Sequence, residues 1–141
     1  MHFNTLIPEL AVTDCAVSLK FYCSILGFSI AYQRLEEGFA FLEYGEAQLM
    51  IDQINKGRTF KNSNVSIERP FGRGINLQIK VPAVTVLFEQ LHTAGITLYL
   101  SLEEKWHRYA DKELRQRQFI VADPDGYLLR FYENLGVRNF L

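Results

Sequence analysis

Histidine, cysteine and net charge are all scarce in this chain of 141 residues. With a net charge of −1, it offers a nucleic acid or an anionic membrane no bulk electrostatic attraction. No apolar run nears the roughly 20 residues of a membrane-spanning helix. The opening Met1-His2-Phe3-Asn4-Thr5 has no basic region ahead of an apolar stretch, so neither a span nor a signal peptide is expected and a cytoplasmic location is. The two cysteines, Cys15 and Cys23, fall in one predicted helix. Their separation there is about 12 Å of helical rise, too far for a mutual disulfide, and it fits no zinc motif. Reduced, half-buried thiols are the expectation. G-x-S-x-G, Walker and G-x-G-x-x-G motifs are missing, which removes the commonest nucleophile and phosphate-cradle chemistries. Phe71-Gly72-Arg73-Gly74 reads as loop turns.

What is present is apolar and aromatic. The hydrophobic fraction of 48% and charged fraction of 22% are those of a globular domain, and the length suits one domain or two small repeated halves. A strand is predicted over 6–13. Asp14 is placed to cap a helix over 15–26 that Gly27 ends. Strands follow over 28–34, 39–43 and 47–51. The stretch 52–74 is polar and rich in breakers, and reads as linker and loop. A strand over 75–81, a helix opened by Pro82 and closed by Gly95, and a strand over 96–100 come next. The stretch 101–116 is polar and of mixed charge, and reads as a second loop. Asp123-Pro124-Asp125-Gly126 is a turn between two final strands, 119–122 and 127–133.

Both halves therefore read β-α-β-β-β. Leu10, Val12, Val17 and Phe21 lie 67 positions before Leu77, Ile79, Val84 and Phe88, which supports an internal repeat.

Val12-Thr13-Asp14, Ser18, Phe21-Tyr22 and Leu26-Gly27-Phe28, together with Asp123-Pro124-Asp125-Gly126, resemble the opening and closing motifs of the vicinal-oxygen-chelate superfamily. That superfamily includes glyoxalase I, extradiol dioxygenases, and fosfomycin- and bleomycin-resistance proteins. The resemblance implies an α+β fold of two βαβββ modules whose curved mixed sheets enclose a cleft, in one domain spanning 1–141. Module one would run over about 4–54, a linker over 55–74 and module two over 75–135. Homodimers are common in such proteins.

The same resemblance places metal ligands of the catalytic members at Ile7, at or beside Met50, at Asn76 and at Arg130. None is a histidine or a glutamate, and an arginine has no lone pair to give a cation. His2, His92 and His107 do not alternate in phase with these strands. No metal and no cofactor are therefore expected.

Strand alternation puts Ile7 with Glu9, Gln48 with Met50 and Asp52, Asn76 with Gln78, and Leu128 with Arg130 on one face each. Glu9 and Arg130 then form either a structural ion pair or part of a recognition surface. The residues Arg117-Gln118-Phe119, followed by the closing motif and Tyr127-Leu128-Leu129-Arg130-Phe131, look like the bleomycin-resistance subgroup, which binds a bulky cationic glycopeptide without chemistry. Candidate ligand-binding residues are thus Glu9, Phe39, Phe41, Gln48, Met50, Asn76, Gln78, Trp106, Tyr109 and Arg130. The aromatic rings would stack on planar groups and the carboxylates would attract a cation. The expected partners are a small molecule, such as a cationic aromatic antibiotic, and a second copy of the chain. The alternative is a metal-dependent glyoxalase- or dioxygenase-like lyase or oxidoreductase of the same fold.

Overall fold

A computed structural model describes residues 1–140. The first strand, β1 (Glu9–Val12), leads to α1 (Cys15–Leu19), which continues as a π-helical segment, Lys20–Ile25. Then come β2 (Ser29–Arg34), β3 (Phe39–Tyr44) and β4 (Ala47–Gln53). After a long loop follow β5 (Asn76–Lys80), α2 (Val84–Thr93), β6 (Leu100–Tyr109), β7 (Lys112–Ala122) and β8 (Leu128–Asn139). Among the described residues no helix is long and apolar enough to cross a membrane.

The strands form two four-stranded mixed sheets, ordered β1-β4-β3-β2 and β5-β8-β7-β6. Both have the same topology, with a parallel pair at one edge (β1 with β4, β5 with β8) and antiparallel pairs across the rest. This is the α+β arrangement of repeated βαβββ modules. The chain divides into two compact units: residues 1–71 with 123–126, and residues 72–122 with 127–141. Four residues from late in the chain thus belong to the first unit.

Helix chemistry sets the spacing of the repeat. Asp14 caps α1 by accepting from Ala16 N (2.9 Å) and Val17 N (3.3 Å), and Ala83 holds the same place before α2. The repeat therefore runs at 69 positions and not at the 67 read from residue types. Cys15, Ser18 and Tyr22 are buried, as are their counterparts Val84, Leu87 and Leu91. Val17 is exposed while Val84 is buried, so that sequence pairing was out by two residues. A two-residue error preserves strand alternation, which is why it looked consistent.

Other boundaries move. The first strand is shorter than the predicted 6–13. Pro82 precedes the N-cap and lies outside α2. Residues 96–99 are not a strand. The segment 101–116 is not a loop: it supplies most of β6 and the start of β7, joined at Tyr109 and Lys112 by a two-residue turn. Its residues carry charges of both signs without a clean alternation of polarity, and the charges meet across the strands. Glu104 bridges Arg115 (2.5 Å) and Arg117 (2.7 Å), and Arg138 bridges Glu113 (2.7 Å).

The Asp-Pro-Asp-Gly turn is a structural clasp of the first unit. Asp125 accepts from Thr13 N (3.1 Å), Thr13 Oγ1 (2.7 Å) and Arg69 Nη2 (3.0 Å). Tyr22 donates its hydroxyl to Asp123 Oδ2 at 2.7 Å. Phe71 N donates to Asp125 O at 2.8 Å, which anchors the end of the long loop.

Candidate functional site

On the first sheet, register builds the face opposite the helix. Leu10, Leu49 and Ile51 are buried on the helix side, so their neighbours in sequence point the other way. One row reads Glu9, Met50, Phe41, Tyr32, and the next reads Ala11, Asp52, Phe39, Arg34. Tyr32 reaches this face because β2 carries a bulge between Ile30 and Tyr32.

The aromatic groups form one cluster. Tyr32 stacks on Phe41 with centroids 5.2 Å apart and planes at 19°. Phe3 meets Phe41 edge-on at 5.6 Å. The Arg34 guanidinium lies 4.0 Å from the centroid of Phe39, and its Nε donates to Glu37 at 2.5 Å. Phe39 and Phe41 are therefore buried, and the accessible rings are Phe3, at 55% exposure, and Tyr32, at 37%. Neither Tyr32 nor Arg34 was foreseen; the bulge that turns Tyr32 leaves no mark in the alternation pattern.

Two carboxyl groups share this surface. Burial pushes the Glu9 carboxyl up, the charge of Asp52 raises it further, and Arg34 opposes. Burial likewise raises Asp52, with Glu37 adding and Arg34 opposing. Gln48 has less freedom than the sequence suggested. Its Nε2 donates to His2 O (2.7 Å) and Glu43 Oε2 (2.8 Å), and its Oε1 accepts from Asn4 N (2.7 Å), so it clamps the N-terminal segment.

On the second sheet, Asn76 stands beside Leu128 and Gln78 beside Arg130. The face continues through Ile120, Tyr132 and Gln118. Arg130 Nη2 donates to Gln78 Oε1. Trp106 and Tyr109 are not with them. Trp106 pairs with Arg115, an odd number of positions from Gln118, and so lies on the opposite side of the β6–β7 ribbon, with the Arg138 guanidinium 3.8 Å from its centroid. Tyr109 is at the turn, about 20 Å along the strand from Glu103.

Comparison with known proteins follows this geometry. Residues 2–131 match the family model described as Glyoxalase/Bleomycin resistance protein/Dioxygenase superfamily. The chain belongs to that superfamily. A "Bleomycin resistance protein" of Geobacillus stearothermophilus is 28% identical over 135 residues, covering 92% of this chain and 96% of the relative. One from Staphylococcus aureus matches to the same extent. Among solved structures, TioX from Micromonospora sp. ML1 superposes with a TM-score of 0.70 at 20% identity, covering 94% of this chain and all of that one. The virulence protein STM3117 from Salmonella typhimurium gives 0.67 at 21%, covering 96% and 100%. These two share the fold.

The residues do not fit the metal that catalytic members of the superfamily hold. Helix caps and strand register make Ile7 the counterpart of Asn76, and Met50 the counterpart of Arg130. An aliphatic chain, a thioether, an amide and a guanidinium are no set for a hard divalent cation. His92 stacks on Phe88 on α2. Among the described residues no three His, Cys, Asp or Glu side chains are grouped to hold an ion.

Proposed function

We propose that this chain binds a small molecule and sequesters it without a metal and without chemistry, in the manner of a bleomycin-resistance protein. The observation that carries this reading is Arg130. A permanently protonated guanidinium, oriented by Gln78, stands where a catalytic relative would place a ligand to its metal. The relatives' name supports the ligand class, an antibiotic-type, bleomycin-like compound.

On the first sheet, Tyr32 offers a ring face, and Glu9 and Asp52 offer carboxylates to a cation. Met50, between Glu9 and Phe41, supplies adaptable apolar surface. Phe39 and Phe41 support Tyr32 from below. Asn76, Gln78 and Arg130 are the polar contacts of the second sheet. The protein acts in the cytoplasm as a homodimer.

Isothermal titration with bleomycin tests the reading, paired with an assay for protection of DNA from drug-induced cleavage. Saturable binding with protection is the expected result; no heat and no protection remove the drug. Stoichiometric zinc, nickel, manganese or iron in the purified protein would instead point to a metal-dependent lyase or oxidoreductase.

A further inference from the structure

The second sheet leaves two polar groups unsatisfied on one face. Arg130 lies half-buried on β8, flanked in register by Gln78 on β5 and Ile120 on β7, so no carboxylate stands beside it. Five arginines (34, 69, 115, 117 and 138) carry ion pairs, whereas among the described residues Arg130 has none. Its Nη2 is held by Gln78, and its Nε is shut from water with no partner. Gln118 is only 4% exposed. Its Nε2 donates to Glu103 Oε1 at 3.0 Å, which fixes the amide, because the flipped amide would turn its oxygen toward a carboxylate. Its Oε1 is therefore left as a buried acceptor without a donor. Gln118 pairs with Tyr132, one step along from the Ile120–Arg130 pair on the same face. Diagonal neighbours of this kind lie about 7–8 Å apart, within reach of long side chains.

A half-buried guanidinium without a counter-charge is unfavourable, and an apolar residue would serve the fold better. The first sheet has one: Met50, beside Glu9, occupies the place that Arg130, beside Gln78, occupies in the second. We propose that this face recognises a carboxylate bearing a nearby hydrogen-bond donor, with Arg130 as the specificity-determining residue. The planar guanidinium takes the carboxylate through charge-assisted hydrogen bonds, and Gln118 Oε1 accepts from an N–H or O–H of the same ligand. The inference rests on the reading that the chain binds a small molecule without a metal, and it gives this face of the second sheet a preference for ligands that carry an acid group.

The test titrates the full-length, 15N-labelled chain with N-acetyl-L-phenylalanine and with its methyl ester, followed by NMR at the Arg130 Nε–H and Gln118 side-chain signals. The acid is expected to shift both signals and to bind at least about tenfold tighter than the ester, in line with loss of a charged hydrogen bond. R130M is expected to abolish that preference while melting at or above the parent temperature. Should R130M not fold, R130K serves: it retains the preference but lowers acid affinity several-fold, because the fork is lost. Equal affinity for acid and ester, or shifts confined to other residues, overturns the proposal. Bleomycin is the separating arm. If bleomycin binds and the acid does not, only this inference falls; if neither binds, the binding reading falls with it.

Discussion

Gly126 has a φ of +101°, and a Cβ there would come within 2.6 Å of Pro70 Cβ and 2.7 Å of Pro70 Cα. Gly45 also has positive φ, at +57°, but a Cβ there would meet nothing within 4 Å. G45A should therefore cost only the left-handed backbone penalty, about 1 kcal/mol. G126A adds a clash with backbone and should cost at least ~3 kcal/mol; chemical denaturation of the two variants compares them, and equal losses would mean that the Asp-Pro-Asp-Gly turn can relax. The carboxyl pair gives a second test at this scale. An acid raised on folding binds its proton more tightly in the folded state, so its ionisation costs stability once the pH rises past its ordinary range. Burial raises Asp52, so D52N should melt higher than the parent at neutral pH. The advantage should fade as the pH falls toward about 4, where the unfolded aspartate also takes up its proton. Melts across that range decide it, and a constant difference would mean that Asp52 acts through packing alone.

Elements were legible where their causes are local. Asp14 and Gly27 bound the first helix because a cap and a positive-φ glycine act within a few residues. Alternation likewise put Met50 with Glu9 and Arg130 with Gln78. The ribbon of β6 and β7 was not legible, because what pairs it is distant: Glu104 meets Arg115 and Arg117 only after the chain reverses. Its turn also lacks the usual Asn-Gly or Asp-Gly signal, and Ala110 takes a φ of +54°. Glycine adopts that conformation freely, so A110G should stabilise the chain by about 0.5–1 kcal/mol, the relief of ~1–2 kcal/mol of left-handed strain outweighing glycine's ~0.5–1 kcal/mol entropy cost. A lowered denaturant midpoint would show that the turn is held some other way. On the site, alternation failed at Tyr32, where one extra residue in β2 turns the ring onto the face of Phe41. It failed at Trp106 because a lone tryptophan in a polar stretch carries no facing information until its strand is known.

For the whole molecule, the decisive feature is that the first unit is not continuous in sequence. Residues 1–71 contain Thr13, Tyr22 and Arg69, and their partners Asp123 and Asp125 arrive only after the second unit's third strand. Tyr22 is fully buried, Asp125 is 1% exposed, and a buried polar group deprived of its partner costs about 1–3 kcal/mol. A fragment ending at Phe71 would take Asp123 from the buried Tyr22 hydroxyl and the Asp125 carbonyl from the amide of buried Phe71, and a module of that size has little stability in reserve. The 1–71 fragment is therefore expected to lack a cooperative thermal transition. The full chain should unfold in one step, with far-UV circular dichroism, which reports both sheets, and fluorescence of Trp106, which reports the second unit alone, giving coincident midpoints. A fragment that melts cooperatively, or midpoints that separate, would mean that the turn at Asp123–Gly126 decorates a first unit already stable without it.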